Sequence, residues 1–169
     1  MSDQPQGCIG FLVRMFGGAG RSAGGDLQSL PEIHISKKFP TDAEAEFFRV
    51  LRSVIGDRGH ILVQVSLRQL LYLPGNHSTP GRTVWQNKIA QRSLDFLICH
   101  PSTLKPVVAI ELDEPSHASS RRQTKDEELE AVLRRAGLPL ERVLTSRAYD
   151  TRELAATFLP YIEGAASGG

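Results

Sequence analysis

The sequence predicts an α/β (α+β) sandwich, in which one mixed four-stranded sheet is flanked by helices. Three observations carry that prediction. Two short apolar runs, residues 94–99 and 107–113, are separated by Pro101 and Pro106 and read as paired strands of a buried hairpin. A capped amphipathic stretch, residues 42–55, precedes a further apolar run at 61–66. A helical stripe over 121–136 separates the hairpin from a last apolar run at 140–145, so the hairpin leads into a β-α-β unit.

The elements follow in order. Thr41, Asp42, Ala43 and Glu44 form a capping-box pattern, and Phe47, Val50, Leu51 and Val54 recur at helical spacing behind it. Residues 56–59, Gly-Asp-Arg-Gly, make a turn into the first strand. Residues 67–73 read as a short apolar connection or helix, 74–84 as a loop rich in Pro, Gly, Asn and Ser, and 85–91 as one or two helical turns. After the hairpin and a turn at 114–119, Ser120 to Gln123 repeats the capping box, and Leu129, Val132, Leu133 and Ala136 supply the stripe. Gly137 suits the position after a helix end, and Pro139 blocks continuation. Asp150 to Glu153 caps a last helix bearing Leu154, Phe158 and Leu159. Ile33 to Ile35 reads as a short edge strand.

Length and composition bound the function. A chain of 169 residues is one domain plus tails, and ten of its 15 glycines lie in residues 1–25 and 164–169. We therefore expect flexible tails at 1–30 and 163–169 and a domain at 31–162. The net charge of +1 argues against a generally basic nucleic-acid binder but leaves a local basic face open. The two cysteines, Cys8 and Cys99, form no CxxC, so neither a zinc site nor a disulfide framework is expected, and Cys99 reads as a core residue. The apolar stretch from Cys8 to Phe16 contains Arg14 and is too short to span a bilayer. A cytoplasmic protein is expected.

The chemistry concentrates in the hairpin. A turn centred near Thr103 sets Asp95 opposite Glu111 in an antiparallel register. Directly opposed residues have Cβ atoms about 4.5–5.5 Å apart, and like charges there repel. Asp113, two residues beyond Glu111, shares its face. Three carboxylates converging at one strand end suit Mg²⁺ or Mn²⁺. The bland alternative is a set of solvated strand-end acids. Glu46, beside the apolar stripe of the first helix, is a further ligand candidate or a half-exposed acid. Gln64 lines the site or faces solvent by alternation. His117, four residues past Asp113, suits proton transfer near neutral pH, or is a supporting or exposed turn residue. Arg82, Lys88 and Arg92 before the hairpin, and Arg121, Arg122 and Lys125 after it, are candidate phosphate contacts or a solvated face. Trp85 either stacks on a base or packs in the core.

These residues carry a family resemblance. The αβββαβ order, with an Asp opening the second strand and Glu-x-acid closing the third, resembles the PD-(D/E)xK restriction-endonuclease-like superfamily. The longer pattern joins Trp85, residues 89–91, Leu94-Asp95-Phe96-Leu97, Ala109-Ile110-Glu111-Leu112-Asp113, Ser116-His117, Asp126, residues 136–140 and Ala148-Tyr149-Asp150. That pattern resembles a bacterial family called domain of unknown function 2726, over roughly residues 38–160. The hairpin core with His117 is also similar to very-short-patch-repair-type nuclease domains. The resemblance implies a restriction-endonuclease-like fold and a metal-dependent nuclease acting on DNA. One position departs from it: the superfamily places Lys after Glu-x, and this chain has Asp113. Three readings are open. A nearby cation, Lys88, Arg92 or Lys125, has taken the role; His117 acts as general base; or the domain no longer cleaves and serves as a nucleic-acid-binding or interaction module. A weaker alternative, resting only on the near-neutral charge, is a scaffold without a nucleic-acid role.

Overall fold

Thr41 sets the first helix. Its hydroxyl accepts from the Glu44 N–H at 3.3 Å, and the Glu44 carboxylate accepts from the Thr41 N–H at 2.7 Å. The expected capping box therefore forms. In the computed structural model, which describes residues 31–75, 80–89, 91–114 and 120–167, this helix, α1, spans Asp42–Ile55.

Four strands follow: β1 (His60–Ser66), β2 (Ser93–Cys99), β3 (Pro106–Asp113) and β4 (Leu140–Leu144). They form one sheet in the order β1-β2-β3-β4. β1, β2 and β3 are antiparallel neighbours, and β4 runs parallel to β3. The mixed sheet is thus as expected. Between β1 and β2 the chain makes two short helices, α2 (Leu67–Leu70) and α3 (Arg82–Lys88). The β3–β4 crossover carries α4 (Ser120–Arg135), and α5 (Thr151–Ser167) closes the chain. Gly137, at φ +73°, ends α4, with the Leu138 N–H returning to the Leu133 carbonyl at 3.0 Å.

Each face of the sheet has its own core. Phe47, Leu51 and Ile55 of α1 and Leu154 and Phe158 of α5 cover Phe96, Ile98, Val108 and Ile110. Leu129 and Leu133 of α4, with Leu67 and Ile89, cover Leu97, Cys99 and Ala109. Ala109 and Ile110 are adjacent and point to opposite faces, so the helices sandwich the sheet. Phe47 is fully buried and meets Phe96 and Tyr149 edge-on, with centroids 5.2 and 5.1 Å away. Phe47→Ala is expected to lose about 3–5 kcal/mol of stability, read from the denaturant midpoint. A loss under about 1 kcal/mol would mean that the site collapses around the cavity.

Simple alternation breaks at one point. Ile61 and Val63 pack on the α1/α5 side, but Val65 packs on the α4 side. In β2, Phe96 and Ile98 face α1 and α5, while Leu94 faces the other core. Gln64 stands at the switch in β1 with φ +52°, a left-handed conformation that costs a non-glycine residue about 1–3 kcal/mol. The flanking pairs Val63↔Phe96 and Val65↔Leu94 set Gln64 across from Asp95. A polar seam thus crosses the sheet where the two cores meet.

Two element expectations differ from the structure. The helical turns expected over 85–91 form earlier, as α3 (Arg82–Lys88), partly within the stretch expected to be loop. Ile33 and Ile35 form no strand; residues 31–36 are irregular, and both side chains are largely exposed. Without a partner ladder or a buried face, alternation alone does not make a strand. The last helix, α5, continues to Ser167, past the domain boundary expected at 162, with Phe158 and Ile162 buried along it. The tail expected over 1–30 lies outside the described residues.

Candidate active site

The hairpin delivers the expected pair. Phe96↔Ile110, Leu97↔Ala109 and Ile98↔Val108 hold the register of a turn near Thr103, so Asp95 comes opposite Glu111 one step further on. Asp95 accepts from the Leu112 N–H at 2.8 Å, so its side chain takes a backbone donor of β3. Gln64 completes its surroundings. The Gln64 amide donates to Glu44 Oε1 and, at 3.4 Å, to Asp95 Oδ1, while its carbonyl accepts from Ser93 Oγ at 3.1 Å. The strained backbone at Gln64 is offset by these contacts, and the residue belongs to the seam rather than to a solvent face.

Glu44, not Glu46, is the helix acid at this seam. The buried positions of α1 are Glu44, Phe47, Leu51, Val54 and Ile55. Glu46 lies about 200° round the helix from Glu44 and pairs with Arg49 at the surface. Glu44 was legible: it sits three residues before Phe47 and seven before Leu51, on the same stripe. Its capping role drew attention away from that position. Both of its oxygens are engaged, Oε2 by the Thr41 N–H and hydroxyl and Oε1 by Gln64. Glu44 therefore orients Gln64.

Glu111 is the unusual group. Its Oε1 is buried and has no hydrogen-bond donor among the described residues. Burial first, and the neighbouring Asp95 charge second, push its carboxyl up to about 7, against the pull of Arg92 and Arg142. Burial also raises Asp95, which the Leu112 N–H partly opposes and the Glu44 charge reinforces.

Asp113 faces Arg142, and its charge also pushes up the carboxyls of Asp95 and Glu111. Arg142 stands directly across from Glu111 in the parallel β3–β4 ladder, and its side chain reaches diagonally to Asp113. Arg142 Nη1 contacts both Asp113 oxygens, at 3.1 and 3.2 Å, and Nη2 lies 3.6 Å from Asp126. Burial opposes the charge of Arg142, but its hydrogen bond to Asp113 and the nearby acids hold it more firmly protonated than usual. Asp95 and Glu111 thus stand paired across the hairpin, and Asp113, near enough to act on both, is held by Arg142. Among the described residues no group of three or more His, Cys, Asp or Glu is arranged to hold a metal ion. Sequence reading missed Arg142 because its proximity depends on the β3–β4 register, which no local pattern encodes.

Arg92 also turns inward. Its guanidinium is 3.9 Å from Asp126 and only partly exposed, so it acts on the acid cluster rather than standing on a solvated face. Arg82 folds onto the Leu73 and Gly75 carbonyls, at 3.0 and 3.2 Å. Lys88 lies at the end of α3, and Arg121, Arg122 and Lys125 lie in the first turns of α4. Their side chains fall outside the described residues, as does His117 altogether. Cys99 is buried in the core, as expected. No helix among the described residues is long and apolar enough to cross a membrane.

The seam can do two things chemically. It presents carboxylate oxygens to a hard cation, and it holds one carboxyl poised to exchange a proton near neutrality. No curated protein and no solved structure is detectably similar to the chain. Over residues 36–161, however, it matches the family described as Protein of unknown function (DUF2726), and the chain belongs to that family.

Proposed function

We propose that this chain is a metal-dependent phosphodiesterase of the nuclease type, acting on DNA through a restriction-endonuclease-like αβββαβ core. The observation that carries the reading is Glu111. A buried carboxylate oxygen without a donor costs about 1–3 kcal/mol, and such a group calls for a functional explanation. Asp95 across the hairpin makes the cost larger by like-charge repulsion. A divalent cation bound by these two residues would remove both penalties, so the donor set fits Mg²⁺ or Mn²⁺.

Asp95 and Glu111 would hold the ion, which when bound supplies charge neutralisation at a phosphate and a more acidic water. The remaining roles belong to the chain. The Leu112 N–H and Gln64 fix the Asp95 carboxylate, and Glu44 fixes Gln64. Arg142 keeps a permanent positive charge beside Glu111, next to the position where the superfamily carries lysine. His117 is the proposed general base, with Lys88 or Lys125 as the alternatives.

A second reading has its own support. Arg142 neutralises Asp113 within the fold, as a purely structural ion pair would, which favours a non-cleaving module that binds nucleic acid. One assay separates the two: single-stranded, duplex and mismatched DNA incubated with Mg²⁺ or Mn²⁺. Cleavage that is lost in Asp95→Ala supports the nuclease. Binding without cleavage on every substrate supports the module. In parallel, Mn²⁺ is expected to raise the melting temperature by mass action, and Asp95→Ala to abolish that increment. An unchanged response in Asp95→Ala would move the metal elsewhere.

A further inference from the structure

A shallow groove of about 220 Å³ lies between α2 and α3, lined by Arg68, Leu71, Tyr72, Arg82, Trp85 and Ile89 among others. Its floor is apolar: Ile89 is buried, and the half-buried Trp85 packs on the α4-side core. Its rim is polar and aromatic. Tyr72 is 84% exposed, an unusual state for a large aromatic side chain next to an apolar floor. Arg68 is exposed beside it. No acid is among the residues that line the groove.

Arg92 touches both the start of α2 and the acid seam. The Leu67 N–H, opening α2, donates to the Arg92 carbonyl at 3.0 Å, while the Arg92 guanidinium faces Asp126 and acts on Glu111. Two aromatic side chains beside the exposed Arg68, and no acid, match the requirements of a single strand. The bases stack on aromatic faces, the phosphates are met by guanidinium groups, and every base offers the π-face that stacking needs. A duplex keeps its bases paired and stacked on each other and cannot insert one into a groove of this size without breaking a pair.

We propose that this groove binds an unpaired nucleobase, from single-stranded nucleic acid or from the frayed end of a duplex. The proposal rests on the nucleic-acid part of the reading above and not on cleavage. Trp85 is the single tryptophan of the chain, so its fluorescence reports on the groove. The test titrates the full chain, in EDTA, with oligothymidylate and with a blunt duplex of equal length.

The single strand is expected to quench Trp85 saturably and to bind more tightly than the duplex. Tyr72→Ala is expected to weaken single-strand binding by about tenfold to a hundredfold. Arg68→Ala is expected to lower the slope of log affinity against log salt by about 0.7. Both side chains are exposed, so the melting temperature should hold in each variant, and binding loss cannot be put down to unfolding. Absent quenching, equal affinity for duplex and single strand, or full affinity in Tyr72→Ala overturns the proposal. Because the titration excludes metal, a chain that binds as expected in EDTA but cleaves nothing with Mg²⁺ or Mn²⁺ keeps the groove and rejects the nuclease. A chain that cleaves DNA with Tyr72→Ala at full affinity does the reverse.

Discussion

Glu111→Gln is expected to abolish metal-dependent cleavage while making the metal-free protein more stable above pH 7. The two effects share one cause. In the unfolded chain this carboxyl titrates near 4.5, and in the folded chain burial and Asp95 push it up to about 7. Between those values the folded state binds the extra proton. Stability is therefore fully present below 4.5 and is lost as pH rises through 7. At about 1.36 kcal/mol per pH unit, and discounted for partial solvation, ionising Glu111 costs the fold on the order of 2–3 kcal/mol at pH 8. Glutamine keeps the shape and never ionises. Thermal melts from pH 4.5 to 8.5 in EDTA should show the variant gaining on the wild type as pH rises, with the gap closed at the acid end. Saturating Mn²⁺ should restore the wild type alone, and single-turnover cleavage should fall by about 10³-fold or more in the variant. A variant less stable than wild type at every pH would mean that ionised Glu111 is held favourably by Arg92 and Arg142. That outcome would remove the argument for a cation.

Arg142→Ala is expected to lower the cleavage rate by about 10²–10³-fold, the usual cost of removing one preorganised charge from a reacting centre. It should also destabilise the fold, because Asp113, Asp126 and Glu111 would lose a shared counter-ion. Arg142→Lys keeps the charge but cannot span Asp113 and Asp126 together, so an intermediate rate is expected. The decisive comparison adds Asp113→Lys to Arg142→Ala. That double variant puts an ammonium back where the superfamily pattern has it and removes the acid that Arg142 neutralises. Partial recovery of rate over Arg142→Ala alone would assign the charge to this position. If Arg142→Ala cleaves at the wild-type rate while His117→Ala, Lys88→Ala or Lys125→Ala does not, the working group is elsewhere. A pH–rate profile then tells imidazole from ammonium.

The two arginines and the two glutamates show how far local pattern reaches. Glu111 and Asp95 were found from the sequence because hairpin register follows from turn position, and both strands are near-continuous apolar runs in which an acid stands out. The sequence offers Glu46 as a ligand candidate or a half-exposed acid, although helical spacing places Glu44 on the buried stripe. The capping box gave Glu44 a complete local explanation, and local satisfaction hid a second contact with Gln64, 20 residues away. Asp113 was grouped with the other acids by strand alternation, which fixes the face of a side chain but not its partner. Gln64 left two readings open because its backbone conformation is a tertiary outcome.

By itself, then, the sequence determined the ends of α1 and α4 to within a residue, the four strands, the hairpin register and the acid pair that register brings together. These follow from capping chemistry, hydrophobic period and turn length, all of which act over a few residues. Only the tertiary structure decided which cation meets the acids. Arg142 reaches Glu111 and Asp113 through a parallel ladder that closes after a long helical crossover, and Arg92 reaches Asp126 through the packing of α4 on the sheet. The tertiary structure likewise decided that both cores meet at Gln64 and Asp95, and that α2 and α3 set Tyr72 and Trp85 along one groove. Contacts between residues distant in the chain depend on how whole elements dock, and docking is set by the summed shape of many side chains rather than by any motif.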